Sequence, residues 1–498
     1  MSVNMAVDIN GKPYHRNLLV MVMLVGSFCT VLNQTILATA FPTLMKAFDI
    51  STATVQWLTT GFMMVNGIMI PVSAYLSNKF NSKWLYISAM SIFELGTITA
   101  FLAPNFGTLL CGRLIQATAV GITMPLMQNI MLTIFPPEKR GAAMGINGLV
   151  IALAPALGPS LSGWVVDNYS WRVLFGMIIP IVVVVIIASF FLMQNVLKNT
   201  DPTLDWLSLV ISTLGFGSVL YGFSSVGDKG WTSTVVWVSI IFGTILIALL
   251  VWRQTKLTNP FLDFKVFKTP EFTLATLLSS IVMIAMVGVE LVLPLYLQIV
   301  HGMSAFHSGL SLLLGALMMG LMSPVTGDLF DRYGAKRLVM TGMFILTIGT
   351  IPFAFLTRET PIFDVIFLYA VRLFGISMVM MPVTTSGMNA LPFEMISHGT
   401  AVNNTIRQVA SSMGSAILIS ILTNVTNSQK PSHALLKASP LQYKAKMIDA
   451  TLNGYHAAFW VAITFAVIGL LASSKLKNHN KINARYDADN MQKRGSAK

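Results

Sequence analysis

The chain has 498 residues, 54% of them hydrophobic and only 10% charged, with a mean hydropathy of +0.71. Soluble domains carry about 25% charged residues, so a soluble enzyme or binding module is excluded and an integral membrane protein is indicated. The net charge of +13 does not mark a nucleic-acid binder, because the bases punctuate apolar runs instead of gathering on one soluble segment.

The N-terminus carries Lys12 and Arg16, then an apolar run from Leu18 to Phe41. No small-residue cleavage site follows a short apolar core, so this reads as an uncleaved first span. Fourteen such segments follow one another, near 18–41, 54–77, 84–103, 107–134, 142–166, 173–194, 204–223, 234–252, 272–299, 309–327, 338–356, 362–390, 400–423 and 455–473. Most approach or exceed the ~20 residues a helix needs to cross a bilayer. The only cysteines, Cys29 and Cys111, fall inside spans, which argues against a disulfide framework or a thiolate metal site.

An even number of spans puts both termini on one side. Sorting the 32 Lys and Arg places 21 on the terminus side, 8 opposite and 3 within spans. That bias predicts cytoplasmic termini. Half of the opposite-side charges sit in the loop 424–454, where the rule is weaker.

Next comes an internal repeat. Leu76 to Leu85 follows span 2 as Leu329 to Leu338 follows span 10; Arg113-Leu114 matches Arg372-Leu373; Phe135 to Ala142 parallels Phe393 to Thr400. The offsets are 253, 259 and 258 residues, too constant for chance similarity among apolar segments. The reading is all-α: a tail at 1–17, a six-helix bundle at 18–195, a two-helix insertion at 196–271, a second bundle at 272–473 and a tail at 474–498. Two six-helix bundles about a central site are the design of a rocking transporter.

Four elements carry chemistry. Span 1 contains Leu32-Asn33-Gln34-Thr35, and span 4 contains Arg113-Leu114-Ile115-Gln116. A guanidinium inside hydrocarbon needs partners or water and marks a functional cavity, although Arg113 also lies close enough to the span end to snorkel. Arg372 is its second copy. Span 5 runs through Pro155, Gly158, Pro159 and Gly163; two prolines kink it, and small residues permit close packing. The acids well within spans are Glu94 in span 3 and Glu290 in span 9, each costly unless neutral, paired or wetted. A structural interhelical hydrogen bond is the alternative for both. Between spans 10 and 11, Gly327-Asp328-Leu329-Phe330-Asp331-Arg332-Tyr333-Gly334-Ala335-Lys336-Arg337 forms a short charged turn. Gly327 permits close helix approach, Asp331 can cap or pair across helix ends, Gly334 supports the reversal, and Arg332, Lys336 and Arg337 hold the turn at the cytoplasmic face.

The turn G-x-L-x-D-R-x-G-x-K-R-L resembles the gate-loop signature of the major facilitator superfamily of secondary transporters. Arg113-x-x-Gln116 resembles its span-4 signature, and G-P-x-x-x-G in span 5 resembles the antiporter motif of export carriers, with Ser162 where Gly is usual. Span 1 resembles the fourteen-span drug:proton antiporters (EmrB/QacA type), which carry Asp where Asn33 stands. Pro294, Tyr296 and Gln298 resemble the family's span-9 motif, and the run from Ser397, His398 and Gly399 to Asn404, Arg407 and Gln408 its span-13 motif, with His398 read as a loop-end residue. The first gate-loop copy is worn: Ala74, Asn78 and Asn81 replace Gly, Asp and Gly. The whole is most like the lincomycin-resistance members. The resemblance implies an exporter in the bacterial cytoplasmic membrane, taking lipophilic, partly cationic drugs out against inward proton movement. The lack of a long soluble terminal domain in the sequence leads us to expect a monomer. It implies no cofactor beyond the proton gradient. With Asn33 unable to titrate, coupling is expected at Glu290, with Glu94 as the alternative.

The absence of G-x-x-x-x-G-K-[ST], H-E-x-x-H and G-x-S-x-G motifs removes ATP-driven and hydrolytic readings. A proton-coupled uptake symporter of the same fold and a non-transporting sensor or scaffold remain as rivals. The span-5 motif disfavours the first, and the desolvation cost of intramembrane Arg and Glu disfavours the second.

Overall fold

The structure, a computed structural model, describes residues 5–477 except 8–10, 12, 38–39, 200–204, 258–259 and 261. Most of the expected C-terminal tail, parts of the N-terminal tail, and Ala38 and Thr39 of the first expected span therefore lie outside the described residues. Among those described, fourteen helices are long and apolar enough to cross a membrane. We number them α1 (Arg16–Thr35), α2 (Thr52–Lys79), α3 (Ser82–Phe101), α4 (Phe106–Ile134), α5 (Arg140–Asn168), α6 (Val173–Leu192) and α7 (Trp206–Lys229). The rest are α8 (Thr234–Lys256), α9 (Pro270–Ile299), α10 (Ala305–Tyr333), α11 (Ala335–Thr350), α12 (Ile362–Asn389), α13 (Ile396–Ser428) and α14 (Pro440–Ser473). A small antiparallel hairpin pairs Met5–Val7 with Pro13–His15 ahead of α1.

The helices start where local chemistry dictates. Ser51 and Asn105 accept backbone N–H groups of the first turns of α2 and α4, and Ser304 does the same for α10. Gly334, at φ +81°, turns the chain from α10 into α11, a left-handed conformation that a side chain would strain. The stretch 424–454, expected as a loop, is mostly helix: α13 runs on to Ser428, a short helix spans His433–Ala438, and α14 begins at Pro440. Lys444 and Lys446 do not oppose helix formation in water; only hydropathy, which reads the bilayer and not the helix, stops short there.

The repeat seen in sequence recurs in packing. α1 packs on α5 and α6, α3 on α4 and α6, and α2 on α4; in the second half α9 packs on α13 and α14, α11 on α12 and α14, and α10 on α12. The halves meet along two seams, α5 against α10 and α2 against α13. These seams are counterparts under the repeat, yet they differ. The α5–α10 seam is built of small residues: Gly141 faces Gly327, Gly145 and Gly148 face Ser323, and Gly320 faces Leu153. The α2–α13 seam is additionally covered by α7, which packs on both helices. Gly67 of α2 lies against Leu220 of α7 and Gln408 of α13, and Trp57 of α2 stacks on Tyr221 of α7.

Candidate functional site

Two buried guanidinium groups occupy matching places in the two halves. Arg113 of α4 is fully buried. Its Nη1 donates to the backbone oxygen of Asn33 at 2.9 Å, to Asn33 Oδ1, and to Gln116 Oε1 at 3.0 Å. Its guanidinium lies over the Phe62 ring at 4.2 Å, and Gln116 passes the network on to Thr97 Oγ1 at 2.9 Å. The fold thus brings Asn33, Arg113 and Gln116, singled out separately in the sequence, into one hydrogen-bonded group, with Arg113 buried among protein partners.

Arg372 of α12 is equally buried; it donates to the backbone oxygen of Ala285 on α9 and, at 3.2 Å, to Thr350 Oγ1. Thr350 stands 253 residues after Thr97, so each arginine cluster ends on the same repeat position. The difference is the acid. Glu290 and Tyr369 lie within electrostatic reach of Arg372, whereas the hydrogen-bond partners of Arg113 are all neutral. Each cluster keeps one buried guanidinium nitrogen, Arg113 Nη2 and Arg372 Nη1, without a hydrogen-bond partner among the described residues.

The other candidates fall elsewhere. Glu94 on α3 is buried beside Cys29 of α1, with both carboxyl oxygens lacking a hydrogen-bond partner among the described residues. Tyr296 is fully buried where α9 ends, donating to Thr357 O at 2.7 Å, bonded to His301 and edge-on to Tyr455. Gln298 is half-buried two residues further on. Arg407 is buried on α13, with Nη2 near Met283 Sδ at 3.9 Å.

At the face that bears the termini, a belt of polar contacts joins the halves. Asp331 accepts the N–H groups of Gly141 and Ala142, each at 2.9 Å, so its carboxylate caps the N-terminus of α5 across the seam. Arg140 donates to Asn389 at 2.8 Å, Asn129 to Ser397 at 2.6 Å, and Asn404 to Gln128 at 2.8 Å. Of the turn's bases, Arg332 pairs with Asp328 at 2.9 Å, an exposed i,i+4 contact; Lys336 is half-buried and Arg337 exposed. In α5, Gly158 lies on Thr35 of α1, whose hydroxyl donates to Pro155 O at 3.1 Å. Gly163 faces Phe306 of α10, and Pro159 approaches Gly309. The kinked segment thus touches both its own bundle and the opposite one. Sequence reading missed Gln128, Asn129 and Asn389, because single amides in apolar runs carry no spacing signal; Ser397 was visible only as part of the span-13 motif, and Arg140 only as a topology charge within the repeat.

Two repeated helical bundles, a buried arginine in each and a polar belt joining them at one face are the architecture of a membrane transporter of the major facilitator type. The chain belongs to the Major Facilitator Superfamily, which it matches over residues 23–415. It is 48% identical over 473 residues to the uncharacterized MFS-type transporter YcnB of Bacillus subtilis, covering 95% of this chain and 98% of that one. It is 42% identical over 453 residues to the lincomycin resistance protein LmrB of Listeria innocua, covering 90% and 94%. The crystal structure of the human organic anion transporter MFSD10 shares the fold at a TM-score of 0.63 and 13% identity, covering 92% and 99% of the two chains.

Proposed function

We propose that this multi-pass membrane protein is a proton-driven exporter of lipophilic, partly cationic drugs. It acts as a monomer in a bacterial cytoplasmic membrane with both termini inside the cell. The likeness to a lincomycin resistance protein over nine-tenths of both chains supports drugs as the cargo. The observation that carries the coupling is the placement of Glu290 beside Arg372 and Tyr369 in the second bundle, while the matching arginine in the first bundle is held by neutral groups.

The chemistry follows from that asymmetry. When the Arg372 guanidinium turns to Glu290, the carboxyl group releases its proton and the resulting carboxylate is stabilised by the ion pair. When Arg372 is held by Ala285 O and Thr350, the carboxyl group, in a poorly solvated site, keeps a proton or takes a cationic substrate in its place. Proton and cation therefore compete for one group, as exchange requires. Rocking about the α5–α10 and α2–α13 seams exposes the group to each side in turn.

In proteoliposomes with an imposed pH gradient, Glu290→Gln should lose gradient-driven transport of cationic drugs by tenfold or more, on the order of a lost general proton site. It should retain more activity toward neutral drugs. Undiminished proton-driven cation export would remove Glu290 from the mechanism and leave Glu94 as the buried acid to test. Drug moving inward with protons would instead establish the uptake symporter.

A further inference from the structure

The repeat predicts a second gate latch that the sequence has altered. Position 78 matches Asp331, 253 residues on, but holds Asn; Gly399 and Thr400 match Gly141 and Ala142, 258 residues on. A neutral amide lacks the charge-assisted bond, and the charge at the helix N-terminus, that a carboxylate supplies. At this latch Asn78 of α2 meets the side chain of His398, one turn into α13, with Nδ2···Nε2 at 3.3 Å.

The other ring nitrogen looks a third way. His398 Nδ1 accepts the backbone N–H of Asp263 at 3.2 Å. Asp263 belongs to the linker by which the chain leaves the two-helix insertion; its carboxylate caps the short helix Phe264–Lys268 that leads into α9. The preceding residue, Leu262, donates its N–H to Gln254 at 3.0 Å, Gln254 donates to Ser208 at 2.5 Å, and Ser208 donates to Asp205, which is paired with Arg253 at 2.8 Å. Two sets of hydrogen bonds, joined through the Leu262–Asp263 peptide, thus link the first bundle, α13 of the second, and both helices of the insertion. Because Nδ1 accepts, the ring proton sits on Nε2, so Asn78 presents its amide oxygen there after a half-turn of the amide.

We propose that His398 is the positioning residue of a second, uncharged latch. It ties the two bundles to the insertion's exit linker and so sets how readily the terminus-bearing face opens. The insertion is then part of the gate: α7 braces the α2–α13 seam within the bilayer, and Asp263 with His398 braces it at its end. This rests on the alternating-access reading above.

The test dissects the two ring nitrogens. His398→Asn preserves an acceptor at the Nδ1 position and loses the reach to Asn78; His398→Gln preserves the reach to Asn78 and loses the Asp263 bond. Spin labels on Phe80 and Glu394, exposed residues of opposite bundles at this face, report opening by double electron–electron resonance in a Cys111→Ser background. Each variant should raise the open-to-closed ratio about fivefold, the size of one neutral hydrogen bond, and His398→Ala should raise it further. Asn78→Asp, which offers Nε2–H a charged acceptor, should lower it. Melting temperatures in detergent separate this from general destabilisation: variants that melt earlier with unchanged label distances would overturn the proposal, as would distances unmoved in all four. Drug transport measured on the same samples keeps the two readings apart. Distances that respond in a protein that moves no drug would retain the latch and reject the exporter; drug export with unresponsive distances would do the reverse.

Discussion

Replacing Asp331 by Asn should open the terminus-bearing face without unfolding the protein. The carboxylate accepts two N–H groups at 2.9 Å, those of Gly141 and Ala142, which open α5 in the opposite bundle. An amide of the same shape has one oxygen, so it keeps one of these bonds and turns an N–H₂ toward the other donor. The loss comprises one charge-assisted hydrogen bond and the attraction between a negative charge and a helix N-terminus. Such bonds contribute about 1.5–3 kcal/mol and helix-end charges about 0.3–1 kcal/mol. Because Asp331 is only half-buried, water replaces part of this, leaving about 1–2 kcal/mol, or roughly 5–30-fold in the open-to-closed ratio. Nothing within either bundle is broken, so membrane insertion and melting temperature should stay near wild type. Spin-label distances across the α5–α10 seam read the ratio directly, and drug transport should fall because the closed state is under-populated. A properly inserted Asp331→Asn protein with wild-type distances and full transport would refute the latch.

Gly158→Val should insert at normal levels and lose most transport. A Cβ there would overlap Thr35 Oγ1 and come within 3.0 Å of Thr35 Cβ, costing about 1–3 kcal/mol of overpacking at the α1–α5 contact; wild-type transport by this variant would dismiss the kinked segment as a moving part. The Asp205–Arg253 pair should give the insertion an acid-labile anchor. Hydrogen bonding to Arg253 holds the Asp205 carboxyl at about 2, against an ordinary 3.8. A group depressed in the folded state stabilises it above its unfolded value, so this contribution is complete at neutral pH and fades as pH falls from about 4 to about 2. Asp205→Asn should flatten the melting-temperature profile across that window; an unchanged slope would mean the pair contributes nothing.

Architecture was legible because the bilayer reads composition directly. Apolar runs of fixed length gave all fourteen spans, and charged turns could lie only between them. The repeat was legible through punctuation, since Arg113 and Arg372, or Asn78 and Asp331, are rare enough in apolar sequence to be matched by eye. The contacts between halves were not. Asn129 with Ser397 and Arg140 with Asn389 join residues more than 240 positions apart, and an amide facing the seam looks no different in sequence from one facing its own bundle. Tyr296 shows the converse: its motif resemblance marked it for the site, but its hydroxyl is engaged with Thr357 and His301. His398 was read from its position alone as a loop end. Only the fold brings Asn78 and Asp263 to its two nitrogens.

The unequal arginine clusters make the final test. Arg113 Nη1 already rests on Asn33 Oδ1, so a carboxylate at position 33 needs no rearrangement to meet the guanidinium. Asn33→Asp should therefore fold, because the charge it buries is paired at once. It also gives the first bundle what only the second now has, an acid beside its central arginine. If the two clusters are interchangeable parts of one repeated device, the new acid should exchange protons as Glu290 does. The double variant Asn33→Asp/Glu290→Gln should then recover gradient-driven transport that Glu290→Gln alone has lost. The single variant should move more protons per drug, seen as a shift in the pH gradient at which net drug movement reverses. A double variant no better than Glu290→Gln, with Asn33→Asp folded and its reversal point unmoved, would show that coupling depends on where the acid sits relative to the substrate path, and that the resemblance between the clusters is one of packing alone.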